Sequence, residues 1–233
     1  MKLIGLEMKK IALTPYLLAS VLIPLAALAL IDLLAYAPQI DPNILATDPE
    51  MGTYAFLYVI SFIINVTGFA CMNTAMLGKV IMESYNDNYI PLTLSYPVSR
   101  KKVFWAKIIF CELFCGVGVF IGLLLTNSLF FVSESVFSLV NDTLSFTTIV
   151  NQLPLMIVSI MLVVSISLIA LAIGWWRNSL ALAIVSAVVL CSILSNLVTV
   201  GGVEVILAIS GILFFIGVLV VLTLTKKVLR LEA

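Results

Sequence analysis

One carboxylate, Glu112, lies well inside a long apolar stretch, and Lys79 lies near the end of the apolar stretch that precedes it. A carboxylate in hydrocarbon is costly and normally faces protein, water or a cation. One hypothesis is therefore an interhelical pair between Lys79 and Glu112. The alternative is that Glu112 marks where its helix leaves the headgroup region, and the sequence leaves both open.

Other chemistry has few candidate residues. The chain has no histidine, which is the commonest general base and metal ligand. The sequence also contains no G-x-x-x-x-G-K-[ST] phosphate loop. Four cysteines lie in apolar runs without metal-ligand spacing and are expected to be packing residues: Cys71, Cys111, Cys115 and Cys191. We therefore expect no enzymatic activity and no cofactor or metal bound by this chain.

The composition is that of a protein embedded in lipid. Of the 233 residues, 63% are hydrophobic and 10% are charged, whereas soluble domains are roughly half apolar and a quarter charged. The formal net charge is zero, so we expect no nucleic-acid partner. The expected solvent of this chain is the lipid bilayer.

Six apolar stretches are long enough to cross a hydrocarbon core, which takes about 20 helical residues. They lie at about 16–36, 54–81, 104–132, 150–173, 179–198 and 203–225. The expected fold class is all-α, a polytopic integral membrane protein with one transmembrane domain over residues 1–233. The second and third stretches are unusually long, so their helices either tilt or project from the core. Between the last two stretches, Thr199–Gly202 is predicted to be a tight turn, and the sequence leaves open a short half-helix over Ser195–Ile206.

The positions of lysine and arginine predict the orientation. Six spans with an inside amino terminus assign all twelve basic residues to one side, and lysine and arginine mark the cytoplasmic side. We therefore expect a multi-pass protein of the cytoplasmic membrane with both termini in the cytoplasm. Residues 1–13 are expected to form an amphipathic helix in the interface.

The cytoplasmic stretch 83–102, between the second and third spans, mixes apolar and aromatic residues with prolines and ends in a basic cluster. A short helix that docks into a partner's groove needs such apolar content. The alternative is an ordinary interfacial loop whose apolar residues lie against lipid headgroups.

The stretch 83–102 and the start of the third span resemble a known protein family. Glu83, the short segment after it and the run Tyr96-Pro-Val-Ser-Arg-Lys-Lys-Val-Phe-Trp-Ala-Lys107 resemble the permease subunits of ABC-2 type ABC transporters. Glu7-Met-Lys-Lys10 is similar to the family's amino-terminal segment, and the six-span layout resembles its type V exporter-like transmembrane domain. The short connection at Thr199–Gly202 is typical of compact bacterial members, such as peptide or lantibiotic immunity and drug efflux permeases.

The resemblance implies an ATP-driven exporter. A second copy or a paralogue would complete a dimer, and two copies of an ABC ATP-binding subunit would supply the ATP and Mg²⁺. The residues implied at the ATPase-coupling interface are Glu83, Tyr85, Tyr89, Ile90, Pro91, Leu92 and Arg100. The substrate would be hydrophobic or amphipathic, for example a peptide, a drug or a lipid-like molecule, moved across or out of the membrane. The alternative function is a non-transporting membrane scaffold or assembly protein that binds cytoplasmic partners.

Overall fold

The computed structural model describes residues 13–41, 48, 53–82, 100–137, 140 and 152–230, of which residues 100, 152–153, 198–204 and 227–230 are described through the backbone alone. All regular structure in these ranges is helical, and it contains six helical segments long and apolar enough to cross a membrane. The expected all-α, multi-pass membrane protein is confirmed at this level. Residues 1–12 of the expected interfacial helix lie outside the described residues. Residues 83–99 of the expected coupling stretch (83–102) also lie outside them.

The described residues form five continuous α-helices. They are α1 (Thr14–Ile40), α2 (Tyr54–Leu77), α3 (Arg100–Phe137), α4 (Gln152–Trp176) and α5 (Leu180–Arg230). A π-helical turn, Gly78–Met82, extends α2 without a break. The predicted spans at 16–36 and 104–132 lie wholly inside α1 and α3. At 1.5 Å per residue, α3 is about 57 Å long, far longer than a hydrocarbon core of about 30 Å, so the expected excess length of this span is confirmed.

The helical run of α5 reverses direction within its length. Ala183 lies against Gly174 near the end of α4, and Leu224 lines a groove with Trp176 at that same end. A straight helix would separate Ala183 from Leu224 by roughly 60 Å. The run therefore folds back into two arms, which we call the first arm (Leu180–Leu197) and the second arm (Val205–Lys226), and these are the fifth and sixth candidate spans.

The predicted tight turn at Thr199–Gly202 is wrong in its local structure. The backbone stays helical from 198 through 204, so the reversal is a bend in a helix and not a non-helical loop. This segment contains the adjacent glycines Gly201 and Gly202. Sharp helix bends are typical of such sites, because glycine has no Cβ to crowd the inner side of the bend.

The helices pack so that basic residues gather at one end of the bundle. One hydrophobic cluster at this end contains the start of α1 (Leu13), the end of α2 (Ile81), the beginning of α3 (Phe104), the end of α4 (Trp175) and the second arm (Val221). Basic residues near these positions are Lys79, Lys101, Lys102, Lys107, Arg177 and Lys226. We call this the basic end, and its composition agrees with the predicted sorting of charges onto one side.

The α4–α5 connection is a Schellman turn followed directly by an N-cap. Asn178 has a φ of 50°, and its N–H donates to Trp175 O at 3.4 Å while Ser179 N–H donates to Gly174 O at 3.0 Å. Ser179 Oγ then accepts from Leu182 N–H at 3.3 Å. These bonds satisfy the last carbonyls of α4 and a first amide of α5, so two antiparallel spans follow one another with almost no loop.

Replacing Asn178 by valine should lower the free energy of unfolding by about 1–2 kcal/mol, because a β-branched residue is strained in the left-handed region. Asn178→Gly should be neutral or slightly stabilising, since glycine adopts this conformation without strain. Thermal unfolding of the two variants in the same detergent measures the difference. Equal stability of both variants would contradict the strain argument.

Candidate functional site

A row of polar residues runs along the buried side of α2. Ser61, Asn65 and Asn73 are separated by four and eight residues, which places them on one inclined row of the helix surface. Phe69 occupies the remaining position of that row, and all four side chains are almost fully buried. Polar side chains inside a bundle that lipid surrounds need partners within the protein, so this row fixes how α2 meets its neighbours.

Asn73, at one end of this row, joins α2 to two other helices. Asn73 Nδ2 donates to Glu112 Oε2 of α3 at 2.8 Å and to Ser167 Oγ of α4 at 2.8 Å. Ser167 Oγ also lies 3.3 Å from Glu112 Oε1. Asn73 and Ser167 have no exposed surface, and Glu112 is partly buried. We call Asn73, Glu112 and Ser167 the polar triad.

The triad lies deep in the bundle. Asn73 is nine residues from the end of the π-helical turn, and Ser167 is nine residues from the end of α4, or about 14 Å along each helix. Glu112 is about 18 Å from the start of α3 on the same measure. Three helices thus bring polar groups to one level, which a random placement of buried polar residues would not do.

Not every hydrogen-bonding group of the triad is satisfied. The single hydroxyl hydrogen of Ser167 has two acceptors in reach, Val164 O at 2.9 Å and Glu112 Oε1 at 3.3 Å, and it can serve only one of them well. Asn73 Oδ1 accepts no hydrogen bond among the described residues. The triad therefore contains one buried acceptor, Asn73 Oδ1, that the described residues leave unused.

The predicted pair of Lys79 with Glu112 is corrected by these contacts. Lys79 is exposed, and the carboxylate of Glu112 is bonded by the Asn73 amide and the Ser167 hydroxyl instead. The lysine held inside the bundle is Lys107, 7% exposed, whose Nζ donates to Val80 O at 3.4 Å. Lys79 lies in the π-helical turn.

A second polar layer lies farther from the basic end. Asn65 Nδ2 donates to Thr126 Oγ1 of α3 at 3.3 Å, and Thr126 Oγ1 contacts Pro24 O of α1 at 3.3 Å. Ser61 Oγ donates to Asn127 Oδ1 at 3.2 Å. This layer ties α1, α2 and α3 together, whereas the triad ties α2, α3 and α4. The helices α2 and α3 are therefore shared by both layers.

Between the two layers, α3 has small residues where it meets α2. A Cβ added at Gly122 would lie 2.7 Å from the Phe69 ring and 3.3 Å from Pro24 Cγ, and one added at Gly118 would lie 3.1 Å from the same ring. Small residues let helix backbones approach closely in membranes. This close approach is what brings the asparagines of α2 within bonding distance of α3.

The coupling residues implied by the resemblance are not placed. Glu83, Tyr85, Tyr89, Ile90, Pro91 and Leu92 lie outside the described residues, and Arg100 is described only as the first residue of α3. The helix ends that flank them are packed together, since Ile81 and Phe104 belong to one buried cluster. Segment 83–99 therefore connects two helix ends that are already in contact.

The spacing of polar residues along α2 could have indicated the position of Asn73 in the triad. Ser61, Asn65 and Asn73 recur at multiples of four in an otherwise apolar span, and this period indicates a buried polar row. Ser167 had no such signal, because serine is common in membrane helices and here also donates to its own Val164 carbonyl. The four cysteines are free, and three are buried, in agreement with the predicted packing role.

Comparison with known proteins finds a relative in Bacillus subtilis. The chain is 26% identical over 200 residues to the uncharacterized protein YcbO of Bacillus subtilis (strain 168), and the match covers 84% of each chain. No family model matches the chain, and no solved structure matches it. The similarity extends over most of both proteins, and the relative's description names no activity.

Proposed function

We propose that this chain is the membrane-spanning subunit of an ATP-driven exporter for a hydrophobic or amphipathic substrate, with segment 83–99 docked on a separate ATP-binding subunit. The proposal includes a cytoplasmic basic end and both termini in the cytoplasm. One observation carries it: the two helix ends that flank segment 83–99 are packed together and lead directly to the polar triad.

The path from segment 83–99 to the triad is short and made of buried side chains. Met82 ends the π-helical turn and Arg100 begins α3. Ile81 and Phe104 have no exposed surface, and Lys107 bonds Val80 O across the same interface. A force applied to segment 83–99 would therefore act on α2 and α3 together, because packed interiors transmit displacement with little compression.

The π-helical turn supports a moving part at this place. A π-helical turn adds a residue to the helical repeat, and such turns occur frequently at functional sites. Here Gly78–Met82 lies between segment 83–99 and Asn73. A change of the π-helical turn would rotate the remaining part of α2 relative to α3 and α4, and thereby change the triad's bonds.

The character of the bundle favours an apolar cargo. The described spans carry few charged side chains. The polar groups buried in them are mostly amides and hydroxyls, beside the Lys107 ammonium and the carboxyl groups of Glu112 and Glu134. Polar groups of this kind offer hydrogen bonds to a peptide or a lipid-like molecule.

A copurification experiment tests the proposal. The tagged protein would be extracted from its native membrane in mild detergent, beside a variant with Tyr89→Ala, Ile90→Ala and Leu92→Ala. We expect an ATP-binding subunit to copurify with the unchanged protein and to be reduced at least tenfold with the variant, because apolar anchors dominate helix-in-groove binding.

A matched control replaces three exposed apolar residues of α1, with Leu17→Ala, Leu18→Ala and Val21→Ala. These side chains are more than half exposed and lie away from segment 83–99 in the chain. The control should retain the ATP-binding subunit. If no ATP-binding subunit copurifies with the unchanged, folded protein, the exporter proposal is rejected in favour of the partner-binding scaffold.

A further inference from the structure

An apolar groove opens on the surface at the basic end, between the end of α4 and the second arm of α5. It is lined by Ala172, Ile173, Trp176, Thr223 and Leu224. The Thr223 hydroxyl donates to Val220 O of its own helix at 2.7 Å, so the walls of the groove are effectively apolar. Apolar walls of this kind suit a hydrocarbon chain.

The rim of the groove is aromatic and cationic. Trp176 is 80% exposed, and the Arg177 guanidinium lies 5.9 Å from the centre of its ring. Lys226 is exposed and follows the groove residue Leu224 by two positions. Neither Arg177 nor Lys226 has an ion-pair partner among the residues that the structure describes.

These features select one kind of occupant. A tryptophan at a membrane interface lies at the level of the headgroups, which places the groove below it in the hydrocarbon. Basic pockets between membrane helices bind anionic headgroups. Each wall of this groove carries one cation within two residues of a lining side chain, so a single phosphate between the walls could contact both.

We propose that this groove binds a phospholipid with an anionic headgroup, with one acyl chain along Ala172, Ile173 and Leu224 and the phosphate between Arg177 and Lys226. The lipid joins α4 to the second arm at the basic end. This site does not depend on the exporter proposal, because it uses only the described residues and the membrane surroundings of the bundle.

Native mass spectrometry of the detergent-solubilised protein tests the site. Phosphatidylglycerol and phosphatidylcholine with identical acyl chains would be added separately, and the bound fraction measured over a range of lipid concentrations. We expect phosphatidylglycerol to bind about tenfold more tightly or better, since each nearby cation contributes a few-fold preference for an anionic headgroup. Equal binding of the two lipids would overturn the proposal.

Two variants and a control locate the lipid. The double variant Arg177→Gln/Lys226→Gln should lose the preference, whereas Lys101→Gln/Lys102→Gln, which removes two exposed lysines of α3 at the same end, should retain it. Ala172→Leu, which fills the groove and leaves both cations in place, should reduce phosphatidylglycerol binding severalfold. An equal loss in the Lys101/Lys102 control, or unchanged binding by Ala172→Leu, would each show a diffuse electrostatic effect and reject the groove as the site.

Discussion

Asn73→Leu is expected to lower the free energy of unfolding by about 2–3 kcal/mol, because it leaves the partly buried Glu112 carboxyl group without its amide donor. In the folded protein, Asn73 Nδ2 bonds both Glu112 Oε2 and Ser167 Oγ at 2.8 Å. Leucine matches the asparagine side chain in approximate size, so the loss comes from the missing donor and not from a cavity. Unfolding by sodium dodecyl sulfate titration of detergent-solubilised protein measures the change.

A double-mutant cycle separates this effect from general damage to the core. The variants are Asn73→Leu, Glu112→Leu and the double replacement. Removing both partners of a buried polar pair costs less than stranding one of them, so the double variant should be more stable than Asn73→Leu by about 1 kcal/mol or more. If the two single effects simply add, Asn73 and Glu112 are not coupled and the triad is not an energetic unit.

Gly122→Leu is expected to be among the most damaging single substitutions in the described spans. Even a Cβ at this position would lie 2.7 and 2.9 Å from atoms of the Phe69 ring and 3.3 Å from Pro24 Cγ. Phe69 has no exposed surface, so its ring has no space into which it can turn. Overpacking of this kind costs about 1–3 kcal/mol or more, and it would separate α3 from both α1 and α2.

Gly211 supplies the matched control for Gly122. It also lies within a candidate span, but a Cβ added there meets no atom within 4 Å. Gly211→Leu should be neutral or stabilising by about 0.5–1 kcal/mol, because leucine has the higher helix propensity. Yield, monodispersity and thermal unfolding of the two variants give the comparison. Similar damage at both positions would mean that glycine matters in these helices for flexibility and not for close packing.

The six-span, all-α layout could be predicted from the hydropathy and length of the apolar stretches. Hydropathy and length decide whether a segment can cross a bilayer, because every backbone polar group in hydrocarbon must be bonded within its own helix. Hydropathy and length are properties of one continuous segment, so the spans at 54–81 and 104–132 could be located without a structure. The gathering of basic residues at one end also followed from the chain, since span count and charge position are read from the same residues.

Hydropathy and length did not predict whether the reversal within α5 is a loop or a bend in a helix. Gly201 and Gly202 favour a turn in sequence, yet the backbone remains helical through 198–204. A helical bend keeps its backbone hydrogen bonds, and that benefit depends on how the first and second arms pack on α4. Local sequence preference does not contain that packing.

The partners of Glu112 could be identified only from the packing of the helices. The sequence showed a carboxylate at depth and a lysine at a similar level, but a pair between helices also requires that the two faces turn toward one another. The rotation of α2 is set by its close contact with Gly118 and Gly122 of α3, and it directs Asn73 inward and leaves Lys79 exposed. Spacing along one helix tells which residues share a face, whereas the neighbour that this face meets is a property of the packed bundle.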